Sequence, residues 1–206
     1  MKTIVTGADR PLGALLCCSL EKVGEIVPIG GAAVAPDDLG GREYRCVDLC
    51  APEEVAKVVQ GAGALVHALP FEPPEAGRDA QAGAELLDQI ARSTYVVVSA
   101  ACEAGIKRFV LISQMALLQD YPDDYILSPD WRPLPRAEAD SLAPYTAELV
   151  CREIARTGKI EVVCLRLGSL DAEGGTRAAD AVEAVAAALC EDEPGRGHNW
   201  ILRHVV

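Results

Sequence analysis

The chain has 206 residues, half of them hydrophobic, and carries a formal net charge of −12. This length suits a single domain with a sizeable core, and the acidic balance argues against nucleic acid or an anionic membrane as a partner. No apolar run approaches the roughly 18 residues that cross a bilayer, and Asp9 and Arg10 stand too early for a secretory leader. We therefore expect a cytoplasmic protein without a membrane partner.

The N-terminal residues predict a strand, a glycine turn and a helix. The apolar run Thr3–Val5 is typical of a buried parallel strand, and an apolar-periodic helix is predicted from Pro11 to Val23. Backbone N–H groups and the positive end of the helix dipole converge where such a strand meets such a helix, which makes a phosphate cradle. Gly7 permits the sharp turn, and Gly13 lets the helix approach the strand and a ligand.

The rest of the chain alternates strand and helix patterns. Further strands are predicted at residues 25–29, 44–47, 63–69, 106–113, 160–167 and 199–205. Helices are predicted from about residue 52 and at 79–104, 139–157 and 177–190. This alternation predicts a doubly wound, Rossmann-like α/β domain with a parallel sheet that spans residues 1–206 and has a minimal substrate cap.

Several of these segments resemble short-chain dehydrogenase/reductases, particularly the extended branch of NAD-dependent epimerases and dehydratases. Thr6, Gly7 and Gly13 match that family's glycine-rich loop, although Arg10 or Pro11 stands where the family has a middle glycine. The most specific match is the helix-to-strand segment 103–110. Residues 63–69 resemble the Val-x-His-x-Ala signature, in which we interpret the histidine, His67, as a packed strand residue rather than a base.

The resemblance implies that a dinucleotide contacts the glycine loop and the ends of the second, third and fourth strands. The implied residues are Thr6, Gly7, Asp9, Arg10, Pro11, Leu12, Gly13, Gly30, Asp48, Leu49, Ala68 and Leu69. Asp48 is expected to contact the adenine ring, with an N-cap role for the helix that begins near Pro52 as the alternative, although Cys50 and Ala51 lie closer to that cap.

The choice between NAD and NADP depends in this architecture on the residue after the second strand. An acid there binds the ribose hydroxyls and an arginine favours a 2′-phosphate, but this chain has Gly30. Arg10 could contact a cofactor phosphate and slightly favours NADP; the alternative is a solvated loop arginine. Because the middle glycine is missing, cofactor binding itself stays open.

The family's chemistry uses a Ser or Thr after strand five, a Tyr, and a Lys four residues after the Tyr. On this alignment the hydroxyl position falls at Gln114, with Ser113 one residue early, and Tyr145 matches the Tyr. Leu149 occupies the Lys position, and a leucine cannot lower the pKa of a phenol, which is near 10. Alternatively, Tyr145 is only a packed helix residue, because Leu142, Tyr145 and Leu149 share one stripe.

A loop at residues 116–139 contains Tyr121, Tyr125, Trp131 and several prolines. Long loops in compact domains tend to be functional, and this loop should lie over the carboxyl ends of the strands. It is predicted to be a lid over a small-molecule substrate, with a partner-binding loop as the alternative.

No metal site is predicted, since the eight cysteines form no Cys-x-x-Cys pair and the three histidines are scattered. We interpret the cysteines as reduced, buried small hydrophobic residues.

Three functions remain open at this point. The first, which we favour, is an oxidoreductase or epimerase that uses NAD(P) on a small molecule. The second is a non-catalytic dinucleotide-sensing regulator or scaffold, and the third a cofactor-free protein on the same fold. The family's habit of pairing two long helices further predicts a homodimer through helices 79–104 and 139–157, with Val97 and Val98 on the shared face.

Overall fold

The computed structural model describes residues 1–69, 80–122, 124–190 and 199–205. In this part of the chain seven strands form one parallel sheet in the order β3-β2-β1-β4-β5-β6-β7. The strands are β1 Lys2–Thr6, β2 Glu25–Gly30, β3 Arg45–Cys46, β4 Ala64–His67, β5 Arg108–Gln114, β6 Glu161–Leu167 and β7 Trp200–Val205. The helices are α1 Pro11–Ser19, α2 Pro52–Val58, α3 Ala80–Glu103, α4 Ala139–Ala155 and α5 Ala178–Cys190. The predicted doubly wound α/β architecture is confirmed.

The strand order reverses at β1. The chain runs outward from β1 to β2 and β3 on one side, and returns to place β4 against the other side of β1. Helices that follow β1 and β4 therefore leave toward opposite faces of the sheet, which opens a crevice at the carboxyl ends of these two strands. In open parallel sheets this switch point is where ligands bind.

The sheet is covered on both faces, which explains why its strands read as continuous apolar runs. Ile4 and Leu65 point into a core shared with α2, α3 and α4, whereas their neighbours Val5 and Val66 point into a second core with α1 and α5. This alternation follows from the two-residue period of a strand. Both cores are apolar and together hold the switch point in place.

Two predicted boundaries are wrong. The first helix ends at Ser19 rather than Val23: Leu20 leaves the helical conformation, Glu21–Val23 forms a separate 3-10 turn, and Gly24, with φ +118, starts β2. The third strand has two residues rather than the predicted 44–47, and both are exposed. β3 is the edge strand next to β2 and pairs on one side only, so little packing extends it.

The loop at 116–139 is more structured than the sequence suggests. It begins within a 3-10 turn, Met115–Leu118, that buries Leu117 and Leu118. Tyr121 meets Trp131 edge to face, with ring centroids 4.8 Å apart. Side chains of the loop therefore pack on one another, and its role as a lid stays a prediction.

The two long helices pack on each other, but the predicted dimer face is wrong in one respect. Val97 and Val98 are fully buried inside the core and cannot contact a partner. The outward face of α3 instead carries Tyr95, which is 60% exposed. Residue 79, the predicted start of this helix, lies outside the described residues. The homodimer stays a prediction, and a partner would have to contact the face around Tyr95.

Cysteine burial is also less general than expected. Of the eight free thiols, Cys17, Cys151 and Cys164 are buried, whereas Cys46 and Cys190 are exposed. Burial raises the pKa of the Cys151 and Cys164 thiols, and the nearby Glu148 charge adds to the effect. These two thiols are therefore protonated and unreactive. No helix in the described part of the chain is both long and apolar enough to cross a membrane.

Candidate functional site: the nucleotide cradle and the α4–β7 cavity

The turn between β1 and α1 is built on two glycines that pack backbone against backbone. Gly7 has φ +67, and a Cβ at this position would overlap the carbonyl oxygen of Ala68 at the end of β4. A Cβ at Gly13 would overlap the carbonyl oxygen of Gly7. Only glycine fits either position, so the turn, the helix start and the end of β4 meet in direct contact.

The start of α1 leaves backbone donors open at this turn. Arg10 is the N-cap residue, and its N–H donates to the Gly7 carbonyl at 2.9 Å. Pro11 has no N–H, so the free donors of the first turn are the N–H groups of Leu12 and Gly13. Open N–H groups and a helix dipole at a switch point are the arrangement that is typical of anion-binding sites. The side chains of Arg10 and Pro11 are exposed.

A carboxylate from the glycine loop stands at the end of β2. Asp9 Oδ2 accepts from the backbone N–H of Ala32 at 3.0 Å, and a Cβ on Gly30 would overlap Asp9 Oδ1. The Tyr44 hydroxyl donates to the Ala32 carbonyl at 2.8 Å. Burial, with the Asp9 charge beside it, raises the pKa of Tyr44 to about 12. Gly30 thus makes room for an acid where the sequence had suggested an uncharged strand end.

Asp48 takes part in the turn that enters α2. Its Oδ1 accepts from the N–H of Cys50 at 2.9 Å, and its own N–H donates to Glu54 Oε2 at 2.9 Å. The neighbouring Leu49 is buried in the core beneath α2 and α3. The N-cap of α2 is Ala51, without a side-chain cap bond, so the N-cap alternative for Asp48 is wrong. Its contact with adenine stays a prediction.

A buried hydrogen-bond chain joins β1, β4 and α3 behind the cradle. Thr6 Oγ1 accepts from the N–H of Ala68 at 3.2 Å and lies 3.0 Å from Nδ1 of His67. His67 Nε2 lies 3.2 Å from Thr94 Oγ1. Burial lowers the pKa of His67 to about 3, so the ring is neutral at ordinary pH. The expectation that His67 is a packed strand residue agrees with this geometry. The half-buried Leu69 packs on the core at the end of the same strand.

His67 predicts a pH dependence of stability. Its pKa is about 3 in the folded chain, against about 6.5 in the unfolded chain. Between these values the unfolded chain binds a proton that the folded chain does not, so stability is lost as the pH falls below 6.5. We expect a loss of about 1.4 kcal/mol per pH unit, or about 2 kcal/mol at pH 5.

Urea unfolding of the wild type and of His67→Gln between pH 5 and 7 checks this expectation. The variant should be less stable at pH 7 but should show a shallower loss toward pH 5, since carboxylates contribute equally to both proteins. Equal slopes in the two proteins, or an imidazole NMR signal of His67 that titrates near pH 6, would contradict it.

The two candidates for the catalytic position after strand five, Ser113 and Gln114, are buried to different extents. Ser113 is fully buried, and its Oγ donates to Glu148 Oε1 at 2.6 Å. Glu148 also accepts from Arg166 Nε at 2.8 Å and from Arg166 Nη2 at 2.7 Å. Burial disfavours the charged guanidinium, but the hydrogen bonds and charge of Glu148 outweigh it and raise the pKa of Arg166. Gln114 is half-buried at the end of β5.

Tyr145 lines a cavity of about 440 Å³ between α4, β7 and residues 129–133. The residues that line it are Pro129, Asp130, Trp131, Arg132, Pro133, Tyr145, Glu148, Leu149, Arg152, Arg166, Trp200 and Leu202. Ser113 is not among the lining residues; its hydroxyl is held by Glu148, which lines the cavity, and no hydrogen bond joins the Ser113 and Tyr145 hydroxyls within the described residues. Leu149, at the expected Lys position, faces the same cavity.

Sequence reasoning missed Glu148, Arg166 and Trp200 as site residues. One signal was present for Glu148, which follows Ala147 and precedes Cys151 by three positions on an otherwise apolar helix stripe. An acid on the buried face of a helix needs a cationic partner. The identity of that partner, 18 positions further along the chain, was not visible in the local pattern.

The cradle and the sheet can be placed among known proteins. The sequence profile of a family described as NAD(P)H-binding matches residues 35–188, which is more than half of the chain. A comparison with curated proteins finds no match.

Solved structures share the fold at low sequence identity. A UDP-galactose 4-epimerase has a TM-score of 0.80 and 18% identity, covering 100% of this chain and 77% of its own. A mutated uronate dehydrogenase has a TM-score of 0.79 and 18% identity, covering 99% and 73%. A dTDP-glucose 4,6-dehydratase from Streptomyces venezuelae, solved with NAD bound, has a TM-score of 0.79 and 17% identity, covering 100% and 75%. The profile match shows that the chain belongs to the NAD(P)H-binding family, and the solved structures show that it shares their Rossmann-like fold.

Proposed function

We propose that the protein uses NAD(P), bound at the β1–α1 cradle, as an oxidoreductase or epimerase that acts on a small molecule. The observation that carries this proposal is the packing of Gly7 and Gly13. It brings the open N–H groups of Leu12 and Gly13 to the switch point of the sheet. The two glycines let the turn, the start of α1 and the end of β4 close on one another, which holds these N–H groups in the position where a pyrophosphate would bind.

The residues around the crevice fit the pyrophosphate of a dinucleotide and the ribose next to β2. The N–H groups of Leu12 and Gly13 would bind the pyrophosphate, and the Asp9 carboxylate would accept hydrogen bonds from the ribose hydroxyls nearest β2. Ala68 and Leu69, at the end of β4, would line the other side of the crevice. The nicotinamide supplies the hydride acceptor or donor for the reaction.

The position of Asp9 favours NAD over NADP. A carboxylate at the end of β2 accepts from free ribose hydroxyls and repels a 2′-phosphate. Arg10, which slightly favoured NADP in the sequence, projects into solvent, and no ion pair of its guanidinium is found within the described residues. We therefore propose NAD as the preferred cofactor.

Asp9→Asn is expected to shift this preference. Removing the negative charge should leave the fold intact, weaken NAD binding and strengthen NADP binding, so that the ratio of the two dissociation constants changes about tenfold or more. The measurement is calorimetric titration of both nucleotides. Asp37→Asn is the matched control, since Asp37 is an exposed acid on the loop after β2. An unchanged ratio in Asp9→Asn would contradict the role of Asp9.

We assign the donation or acceptance of the proton in the proposed reaction to Tyr145. Two guanidinium groups, those of Arg152 and Arg166, line the same cavity as its hydroxyl. An arginine is the cation that this cavity offers in place of the Lys of the resembled family, a role that Leu149 cannot take. Residues 129–133 form one wall of this cavity, which supports the proposal that the 116–139 loop covers the substrate.

A second candidate is a dinucleotide-sensing regulator without catalysis. It is favoured by the burial of Ser113, whose hydroxyl is held by Glu148 and cannot reach a substrate without breaking that contact. With Leu149 in the Lys position, two of the three groups used by the resembled family are then missing.

Calorimetric titration with NAD, NADH, NADP and NADPH tests the proposal. Micromolar binding of NAD and NADH is the expected result. No heat with any of the four nucleotides would rule out both the enzyme and the dinucleotide-sensing regulator. If the wild type turns over a substrate, and Tyr145→Phe loses this activity but keeps its cofactor affinity, the result would support the enzyme. Wild-type protein that binds cofactor but shows no hydride transfer to any carbonyl or alcohol offered would select the regulator.

A further inference from the structure

We propose that the α4–β7 cavity binds the anionic group, a carboxylate or a phosphate, of a small cyclic compound. As a binding site the cavity stands independently of the cradle. The identification of this compound as the substrate rests on the proposed function, through Tyr145.

The buried guanidinium of Arg166 provides the first argument. Arg166 is 1% exposed and lines the cavity, and its Nε and Nη2 are both engaged by Glu148. Its Nη1 is buried, and no hydrogen-bond partner for it exists among the residues that the structure describes. Buried donors are normally paired, so an acceptor from outside the chain is expected on this side of the guanidinium.

A second unpaired atom lies next to it. Arg166 on β6 is the register partner of His204 on β7, and the buried Nε2 of His204 likewise has no partner in the described part of the chain. Two of the four buried unpaired atoms in the described residues therefore belong to paired positions of the adjacent strands β6 and β7. Unpaired buried polar groups of this kind are explained when a polar group from outside the chain completes them.

The charged residues that line the cavity favour an anionic ligand. Three arginines, Arg132, Arg152 and Arg166, face two acids, Asp130 and Glu148, in a chain whose net charge is −12. Glu148 is already saturated by Ser113 and Arg166. Arg132 and Arg152 are exposed and free to turn toward a ligand, since Arg152 makes only a 3.5 Å contact with its neighbour Glu153. Guanidinium groups bind carboxylates and phosphates with paired hydrogen bonds.

The remaining walls are aromatic and apolar. Trp131 from the loop and Trp200 from β7 both line the cavity, together with Leu149 and Leu202. A volume of about 440 Å³ lies within the range of small-molecule sites. Flat indole faces suit a ring, so the ligand class is a ring that carries an acidic group. A water molecule alone could satisfy Nη1 but would not call for three arginines and two tryptophans.

The two tryptophans make the test direct, because they are the only ones in the chain and both line the cavity. Tryptophan fluorescence of the full chain without cofactor is followed during titration with benzoate, phenyl phosphate and the neutral benzamide. We expect a saturable change with one or both anions, with an affinity about tenfold or more above that for benzamide. The anion that binds more tightly identifies the acidic group.

Three variants locate the binding. Arg152→Gln and Arg166→Lys should each weaken anion binding about tenfold and leave benzamide unaffected. The second keeps a charge for Glu148 and removes the free Nη1 arm. Arg156→Gln is the matched control, because Arg156 lies one turn further along α4, pairs with the same Glu153 and does not line the cavity. It should bind like the wild type.

Equal binding of the anions and benzamide, no saturation up to about 10 mM, or anion binding that survives in Arg152→Gln and Arg166→Lys would each overturn the proposal. Because the assay contains no dinucleotide, such a result leaves the calorimetric test of the cradle untouched. Conversely, if no dinucleotide binds to the cradle, the anion titration still tests the cavity, because it does not depend on the cofactor.

Discussion

Glu148→Ala is expected to destabilise the fold by about 3–5 kcal/mol, the largest effect we predict for any side chain of the cavity. Glu148 is 5% exposed, accepts a bidentate pair from Arg166 and also accepts from Ser113. Its removal leaves the charge of Arg166 in the core without a partner, and the Ser113 hydroxyl without an acceptor. Urea unfolding at pH 7 measures the difference.

The matched control is Glu153→Ala on the same helix. Glu153 is exposed and pairs with Arg156 at 3.0 Å on the surface, where an ion pair contributes about 0–1 kcal/mol. The double variant Glu148→Leu/Arg166→Leu should recover part of the loss, since it removes both buried charges. A Glu148→Ala loss no larger than that of Glu153→Ala would show that the buried pair does not hold α4 on β6.

Gly7→Ala is expected to disrupt the cradle, with a loss of stability of about 3 kcal/mol or more. The added methyl group would occupy a position with φ +67 and would overlap the carbonyl oxygen of Ala68, the residue after β4. This oxygen belongs to the backbone that directly follows a central strand, so the turn itself must shift. Dinucleotide affinity should fall together with stability, because the N–H groups of α1 follow the turn.

Two other glycines separate the causes of this effect. Gly41, with φ +71, has open space around the position of a Cβ, so Gly41→Ala isolates the backbone strain, about 1–2 kcal/mol. Gly31 has open space and no positive φ, so Gly31→Ala should be nearly neutral. Thermal unfolding and NAD titration of the three variants give the comparison. A Gly7→Ala protein as stable as Gly41→Ala would rule out the close contact with β4.

The sequence by itself determined the architecture. Strands buried on both faces must be continuous apolar runs, as in Thr3–Val5, and helices that cover them show apolar positions at helical spacing. These are local patterns, and their order along the chain specifies a doubly wound sheet. Gly7 and Gly13 were also readable, since a tight turn against a helix start demands glycine wherever it occurs.

The boundaries of the strands and helices were predicted less accurately, because they depend on the neighbouring elements in the fold. The sequence predicted that the third strand covers residues 44–47, but only two residues pair at the edge of the sheet. Val97 and Val98 satisfied a helical pattern equally well on an outer or an inner face, and packing of α3 against the sheet placed them in the core. A helical stripe shows that a face is apolar, not what covers it.

The candidate sites were decided by tertiary structure. Asp9 lies 23 positions before Ala32, yet its carboxylate bonds to Ala32 and takes the place at the end of β2 that the sequence left uncharged. Glu148 meets Arg166 only because α4 packs on β6, and Tyr145 and Trp200 line one cavity although they are distant in the sequence. Such contacts join residues whose separation along the chain carries no period. Local propensity therefore specified the scaffold, whereas the charges and aromatic rings that give it a function came together only through long-range packing.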